Sequence, residues 1–200
     1  IDPSLDQVRR ILMKAGTWRY LRYIHLRDYI SRISNDIETI AVCGAGHGWA
    51  ELAIALEYPH LRFTLTDIVA QGYPNYHQAM AFAWVKGVDN MQFSVWDVLK
   101  PTKRRFDLVC STEMLEHIQS DQLAAENMRR AASKFVYCLV PFADDKTNAD
   151  AGKRKRAFDV HGHFVCGYDQ LALERLFPSP VAVAGAYWVD AGLMLRNRLK

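Results

Sequence analysis

The sequence predicts an α/β fold with a mostly parallel sheet covered by helices on both faces. Two patterns predict it. From residue 39 onward, short apolar runs alternate with segments whose apolar residues recur at helical spacing. The stretch "TIAVCGAGHGWAELAIAL", residues 39–56, then shows the unit in miniature, an apolar run, three alternating glycines and an amphipathic helix.

Within that unit, Ile40 to Cys43 are apolar and partly β-branched, which suits a buried strand. After Gly48, the residues Trp49, Leu52, Ala53 and Leu56 fall at i, i+3, i+4 and i+7 and predict a helix. Gly44, Gly46 and Gly48 lie between, where the absence of Cβ allows unusual backbone angles and lets a ligand approach the main chain. The first third of the chain reads as two helices. Ser4 and Gln7 fit a capping box before Leu5, Val8 and Leu12, and a second segment puts Tyr23, Leu26, Ile30 and Ile33 on one face. Strands are expected at 39–43, 61–66, 91–94, 106–110, 135–140, 181–187 and 192–198, with helices at 49–57, 73–86, 120–132 and 169–177. No room for a helix separates the last two strands, so they should pair antiparallel. The stretch 142–164, "FADDKTNADAGKRKRAFDVHGHF", is a long irregular loop, a kind that is usually functional or disordered.

Two hundred residues form one core-bearing domain, 1–200, divided into an N-terminal helical cap at 1–35 and a core at 36–200. Half the residues are apolar, yet no apolar run approaches membrane-spanning length, which excludes disorder and a transmembrane helix. A net charge of +3 permits anionic partners without arguing for them. Cys43, Cys110, Cys138 and Cys166 are widely spaced with no C-x-x-C pair, so reduced thiols are expected rather than disulfides or zinc. The chain begins at Ile1 and carries no signal-peptide pattern, as expected of a trimmed cytoplasmic protein.

In an open parallel sheet, ligands sit outside the carboxyl ends of the strands. Four such ends carry chemistry here. They are the glycine turn Gly44-Ala45-Gly46-His47-Gly48, then Asp67 in "RFTLTDIV", Asp97 beside Trp96 in "FSVWDVL", and Ser111, Glu113, Glu116 and His117 in "FDLVCSTEMLEHI". Each alone has a plain structural explanation, but one fold places all four around one crevice. Asp67 lies 23 residues after Gly44, where an acid can take both hydroxyls of a ribose.

These motifs resemble those of class I S-adenosylmethionine-dependent methyltransferases, particularly the group with quinone-biosynthesis and many small-molecule enzymes. The resemblance covers residues 39–140 well and the rest by topology. It implies a Rossmann-like three-layer sandwich with a seven-stranded sheet whose last strand is antiparallel. It also implies S-adenosylmethionine as cofactor. Gly44, Ala45, Gly46 and Gly48 would pass under its methionine part, Asp67 would bind the ribose hydroxyls, and Asp97, with Trp96 beside it, would meet the adenine amino group. Ile68 and Val98 would form the apolar bed of the adenine, while Ser111 and Glu113 would line the crevice near the methyl-bearing sulfur. One departure stands out: the family's acid two positions before the first glycine is Val42 here. Glu38, Glu113 or a residue of the N-terminal helices is the candidate to replace it, and His47 is placed to cover the cofactor carboxylate.

The implied reaction is methyl transfer to oxygen or nitrogen of a small-molecule or peptide-like acceptor. A general base would help with a hydroxyl or acidic amine. Candidates are Glu113, His117, and His161 and His163 of "DVHGHF". The His-Gly-His pair lacks further ligands, so no metal is expected. Trp18, Tyr20 and Tyr23 of "WRYLRYIHLRDYI" are candidates for acceptor contacts. Arg19, Arg22, Arg27 and the KRKR run at 153–156 favour RNA methylation as a rival, against which stand the slight overall charge and the absence of an appended nucleic-acid module. A non-catalytic S-adenosylmethionine-binding subunit is a further alternative. A nicotinamide oxidoreductase is disfavoured by the lack of a Tyr-x-x-x-Lys pair.

Overall fold

The computed structural model describes residues 3–68, 76–141, 167–168, 170–178, 185–189 and 192–196. Helices α1 (Pro3–Lys14) and α2 (Thr17–Ile33) precede β1 (Thr39–Cys43). Then follow α3 (Trp49–Glu57), β2 (Arg62–Asp67), α4 (Tyr76–Val85), β3 (Met91–Val95) and β4 (Phe106–Thr112). After a 3₁₀ turn at Leu115–His117 come α5 (Asp121–Ala131), β5 (Ala132–Leu139), α6 (Gln170–Leu176), β6 (Gly185–Val189) and β7 (Gly192–Arg196). Helix α1 begins at Pro3, one residue before the expected cap Ser4. Proline belongs in a first turn, where its missing N–H costs nothing.

Five strands pair in parallel in the order β3-β2-β1-β4-β5, with Val42 opposite both Leu65 and Cys110. The strand order reverses between β1 and β4, so the crevice opens at their carboxyl ends. Strands β6 and β7 pair antiparallel, as their two-residue connection requires, with Ala186 opposite Leu195. They form a two-stranded sheet of their own, so the seven-stranded sheet that the resemblance implies is present as five strands and a separate ribbon.

Period-two alternation along β1 and β4 divides the core into two layers. Ile40, Val42, Leu108 and Cys110 pack with Phe63 and Leu65 under α1, α2 and α3, where Tyr23, Leu26 and Leu52 are fully buried. On the other face, Ala41, Cys43 and Val109 meet Ala124, Ala125 and Met128 of α5 and Leu176 of α6. This is the expected three-layer arrangement. Cys43, Cys110 and Cys138 are free thiols, and Cys166 lies outside the described residues.

Two polar assemblies fix the frame. At the amino ends of the strands, Asp107 Oδ2 accepts the N–H groups of Glu38 at 2.8 Å and Thr39 at 3.2 Å, while Ser133 donates to Oδ1 at 3.1 Å. Although burial opposes ionisation, these bonds and Lys134 hold the carboxyl down at about 2. On the helical side, Glu57 joins α1, α2 and α3: Arg9 Nη2 reaches it at 3.0 Å, Arg27 Nε at 2.5 Å, and the Tyr23 hydroxyl also donates to it.

Candidate active site

The glycine turn leaves β1 with positive φ at all three glycines, +64° at Gly44, +55° at Gly46 and +71° at Gly48. Their surroundings differ. A Cβ on Gly44 would lie 2.6 Å from Met114 Cγ, and one on Gly48 would lie 3.0 Å from Leu65 Cδ1, whereas one on Gly46 would meet nothing within 4 Å. Gly44 and Gly48 therefore permit close packing of the turn on the β4 loop and on β2. Gly46 alone of the three faces open space.

Asp67, the last residue of β2, reaches this turn. Its Oδ2 accepts the Gly46 N–H at 3.3 Å and its Oδ1 accepts the Ile68 N–H at 2.7 Å. An ionised carboxylate offers about four lone-pair positions, so acceptor capacity remains on both oxygens. The next strand end is tied to the same place, because the Trp96 N–H donates to the Asp67 carbonyl at 3.1 Å. Asp97 follows directly. Its Oδ1 accepts the Leu99 N–H at 3.0 Å and its Oδ2 lies 3.5 Å from Lys100 Nζ. Beside these carboxylates Ile68 and Val95 are 64% and 59% exposed, an apolar shelf at the ends of β2 and β3.

The structure thus brings together Gly46, Asp67, Ile68 and Trp96, with Asp97 next along the chain and its carboxylate engaged by Leu99 and Lys100. Val98 and Ser111 are placed differently. Val98 is 6% exposed and packs in the α5 layer, its carbonyl taking the Asn127 amide at 2.9 Å. Ser111 is fully buried within β4, its hydroxyl directed at Cys138 Sγ at 3.5 Å. Neither side chain presents a surface to the crevice.

Past β4 the chain turns sharply. Glu113 has φ +55°, the sole positive φ at a non-glycine residue among the described residues. A strained angle of this kind is retained only where the surroundings impose it, and such angles cluster at functional sites. Its N–H donates to the Leu139 carbonyl at 2.8 Å, and its carboxylate meets Arg22 of α2 at 3.3 Å. The N-terminal cap therefore closes onto the β4 loop by an ion pair spanning 91 positions. Around that contact lie further charged groups, of which Glu51 is not singled out by the sequence. Glu51, in the first turn of α3, is 3% exposed, and burial pushes its carboxyl up to about 7. Glu116 is fully buried with neither carboxylate oxygen partnered, and burial together with the charge of Glu113 pushes it up to about 8. Arg22 Nε is likewise buried without a partner. The signal available for Glu51 was a carboxylate inside "WAELAIAL", directly after the glycine turn.

Arg19 of α2 hydrogen-bonds the Nε2 of His47 at 3.3 Å, and burial with the Arg19 charge holds this imidazole below its ordinary value. A neutral His47 beside a guanidinium gives the amino end of α3 a positive rim. His117 lies in the 3₁₀ turn with its side chain exposed. His161, His163 and the KRKR run lie outside the described residues. At the end of β5 the Tyr168 N–H donates to the Pro141 carbonyl at 2.9 Å. Among the described residues no group of His, Cys, Asp and Glu is arranged to hold a metal, and no helix is long and apolar enough to cross a membrane.

No family model matches the chain, and no curated protein matches it. Solved structures do. An O-methyltransferase family protein from Burkholderia thailandensis superposes with a TM-score of 0.57 over 88% of this chain and 58% of its own, at 12% identity. The YcgJ protein from Bacillus subtilis gives 0.56 over 76% and 64%, at 18% identity. A coclaurine N-methyltransferase bound to N-methylheliamine and S-adenosylhomocysteine is also similar, at a TM-score of 0.47, 19% identity, and coverage of 56% and 33%. The chain spans less than two thirds of the length of each of these structures. Its fold is that of the class I S-adenosylmethionine-dependent methyltransferases.

Proposed function

We propose that this chain transfers a methyl group from S-adenosylmethionine to an oxygen or nitrogen atom of a small-molecule or peptide-like acceptor. The observation that carries the reading is the open face of Gly46 with the Asp67 carboxylate hydrogen-bonded onto it, at the point where the strand order reverses.

The residues fit the cofactor along its length. Asp67 keeps acceptor capacity for two ribose hydroxyls, Ile68 and Val95 offer an apolar bed for adenine, and Asp97 accepts its amino group. At the other end, Arg19 and His47 suit a carboxylate, while Glu113 suits an ammonium group. Glu51 takes the place of the acid that Val42 lacks. It lies one helical turn from the glycine loop, and its charge reaches the Cys110 thiol, the residue paired with Val42 in the sheet.

S-adenosylmethionine supplies an electrophilic sulfonium methyl when bound. The chain's own work is to align an acceptor behind that methyl, exclude water and remove a proton where the acceptor carries one. Glu113, His117, His161 and His163 are the candidates for the proton, and Arg22 holds Glu113 at the crevice.

Calorimetric titration with S-adenosylhomocysteine tests the reading. Binding is expected, NAD should give none, and Asp67→Ala should weaken affinity by about 1.5–3 kcal/mol, the cost of losing a charged hydrogen-bond partner. Failure of both sulfur compounds to bind would overturn it. Binding without turnover on any metabolite extract would favour a non-catalytic subunit instead.

A further inference from the structure

The connection from β3 to β4, residues 96–105, crosses the second face of the sheet without a helix. Beneath it, β2 and β3 present Thr64, Thr66, Gln92 and Ser94 on the face where β1 and β4 bury apolar residues against α5. Between strands and connection lies a cavity of about 250 Å³, lined in part by Thr66, Ser94, Trp96, Thr102, Lys103 and Arg104.

Arg104 is held in this cavity by neutral groups. Its Nη1 donates to Ser94 Oγ at 3.2 Å and its Nη2 to Thr64 Oγ1 at 3.4 Å, and the guanidinium carbon sits 5.0 Å from the centre of the Phe106 ring. No ion pair among the described residues involves Arg104 or Lys103. A guanidinium has five N–H donors, so these two bonds leave most of its capacity unused. Ser94 and Thr102 accept from Arg104, from its side chain and from its backbone N–H at 3.1 Å respectively. Each hydroxyl therefore keeps its own proton to donate. Among the described residues no carboxylate lines the cavity. Two cations and free hydroxyl donors without an acidic neighbour complement an oxyanion.

We propose that this cavity binds a small oxyanion, the phosphate or carboxylate group of a metabolite, at a second site that adjoins the crevice around Gly46 through Val95 and Trp96. Its volume lies at or below the small end of ligand sites, about 300 to 1,000 Å³, which suits a compact anion rather than a nucleotide. Trp96 connects the two sites, since it lines the cavity while its backbone N–H holds the Asp67 carbonyl. The proposal stands whether or not the chain transfers methyl groups.

Titration with inorganic phosphate and with acetate at low, matched ionic strength, followed by backbone amide shifts in NMR spectra, tests it. Saturable shifts at Ser94, Trp96 and Arg104 are expected with at least one anion, and the tighter of the two identifies the group. Arg104→Gln should weaken binding about tenfold or more, as expected for losing a charged hydrogen bond, and Lys103→Gln, at an exposed position, should weaken it in the same sense. Arg105→Gln should leave it unchanged, because Arg105 is outside the lining and donates to the Ala132 carbonyl at 3.1 Å. The shifts should persist with saturating S-adenosylhomocysteine. Shifts that do not saturate, an equal loss in Arg105→Gln, or abolition by S-adenosylhomocysteine would each overturn the proposal. Failure of S-adenosylhomocysteine to bind bears on the methyl-transfer reading alone.

Discussion

A methyl group added at Gly46 would meet only open space, while the same addition at Gly44 would strike Met114. Both substitutions pay about 1 kcal/mol for a left-handed angle with a Cβ, but they should fail differently. Gly46→Ala should fold with a small loss of melting temperature and bind S-adenosylhomocysteine at least about tenfold more weakly. Gly44→Ala should lose several kcal/mol of stability, as expected for overpacking of about 1–3 kcal/mol added to the backbone strain. Denaturant titration beside calorimetry separates the two. Glu116 offers a second residue-level test. Its carboxyl is buried, unpartnered and raised from 4.5 to about 8. The folded state therefore favours the protonated form. The stability this gives is complete below the ordinary carboxyl range and is lost as pH rises toward 8. Urea unfolding of the wild type between pH 5 and 8 should show a decline that flattens in Glu116→Gln by roughly 3 kcal/mol. Glu51, raised to about 7, adds a smaller decline that survives in the variant. Identical slopes would show that Glu116 is solvated or partnered in the folded chain.

The N-terminal helices are held by Glu57. Burial opposes its ionisation, yet hydrogen bonds from Tyr23 and Arg27, with Arg9 adding to them, keep its carboxyl below the ordinary value. That stability is present above the unfolded carboxyl range and is lost as pH falls through the folded one. Glu57→Ala would leave Tyr23 and two guanidinium groups without their acceptor and should cost about 2 kcal/mol, within the range for an unsatisfied buried partner. Faster hydrogen exchange confined to 3–33 is the expected signature. Uniform exchange rates would mean that apolar packing alone seats the cap. At the β3–β4 connection, chain length dictates the conformation. The path crosses three strand spacings, about 14 Å, and runs back about 16 Å along the strands, some 22 Å in all by rough geometry. Ten residues as a helix would span only about 15 Å, whereas extended they reach about 33 Å. No helix fits, and the polar face of β2 and β3 is left for the cavity.

For the molecule as a whole, two carboxylates at opposite ends of the sheet are treated oppositely. Asp107 at the amino end is surrounded by donors, while past the carboxyl end of β4 Glu116 is buried without any. A ligand that completes the crevice should therefore stabilise the fold. S-adenosylhomocysteine at a hundred times its dissociation constant should add about 2.7 kcal/mol, a rise in melting temperature of about 5–10 °C for a chain of this size. An unchanged melting curve would contradict a cofactor site in this crevice. The sequence alone determined the alternation of strands and helices, the glycine turn and the placing of Asp67 and Asp97 at strand ends, because these follow from local periodicity and from how few residues tolerate a left-handed turn. Only the tertiary structure decided that Gly44 and Gly48 serve packing while Gly46 faces open space, that Val98 and Ser111 turn inward, and that Arg22 reaches Glu113 across 91 positions. Burial and pairing at such distances depend on which face of which element meets another, and no local window of sequence carries that.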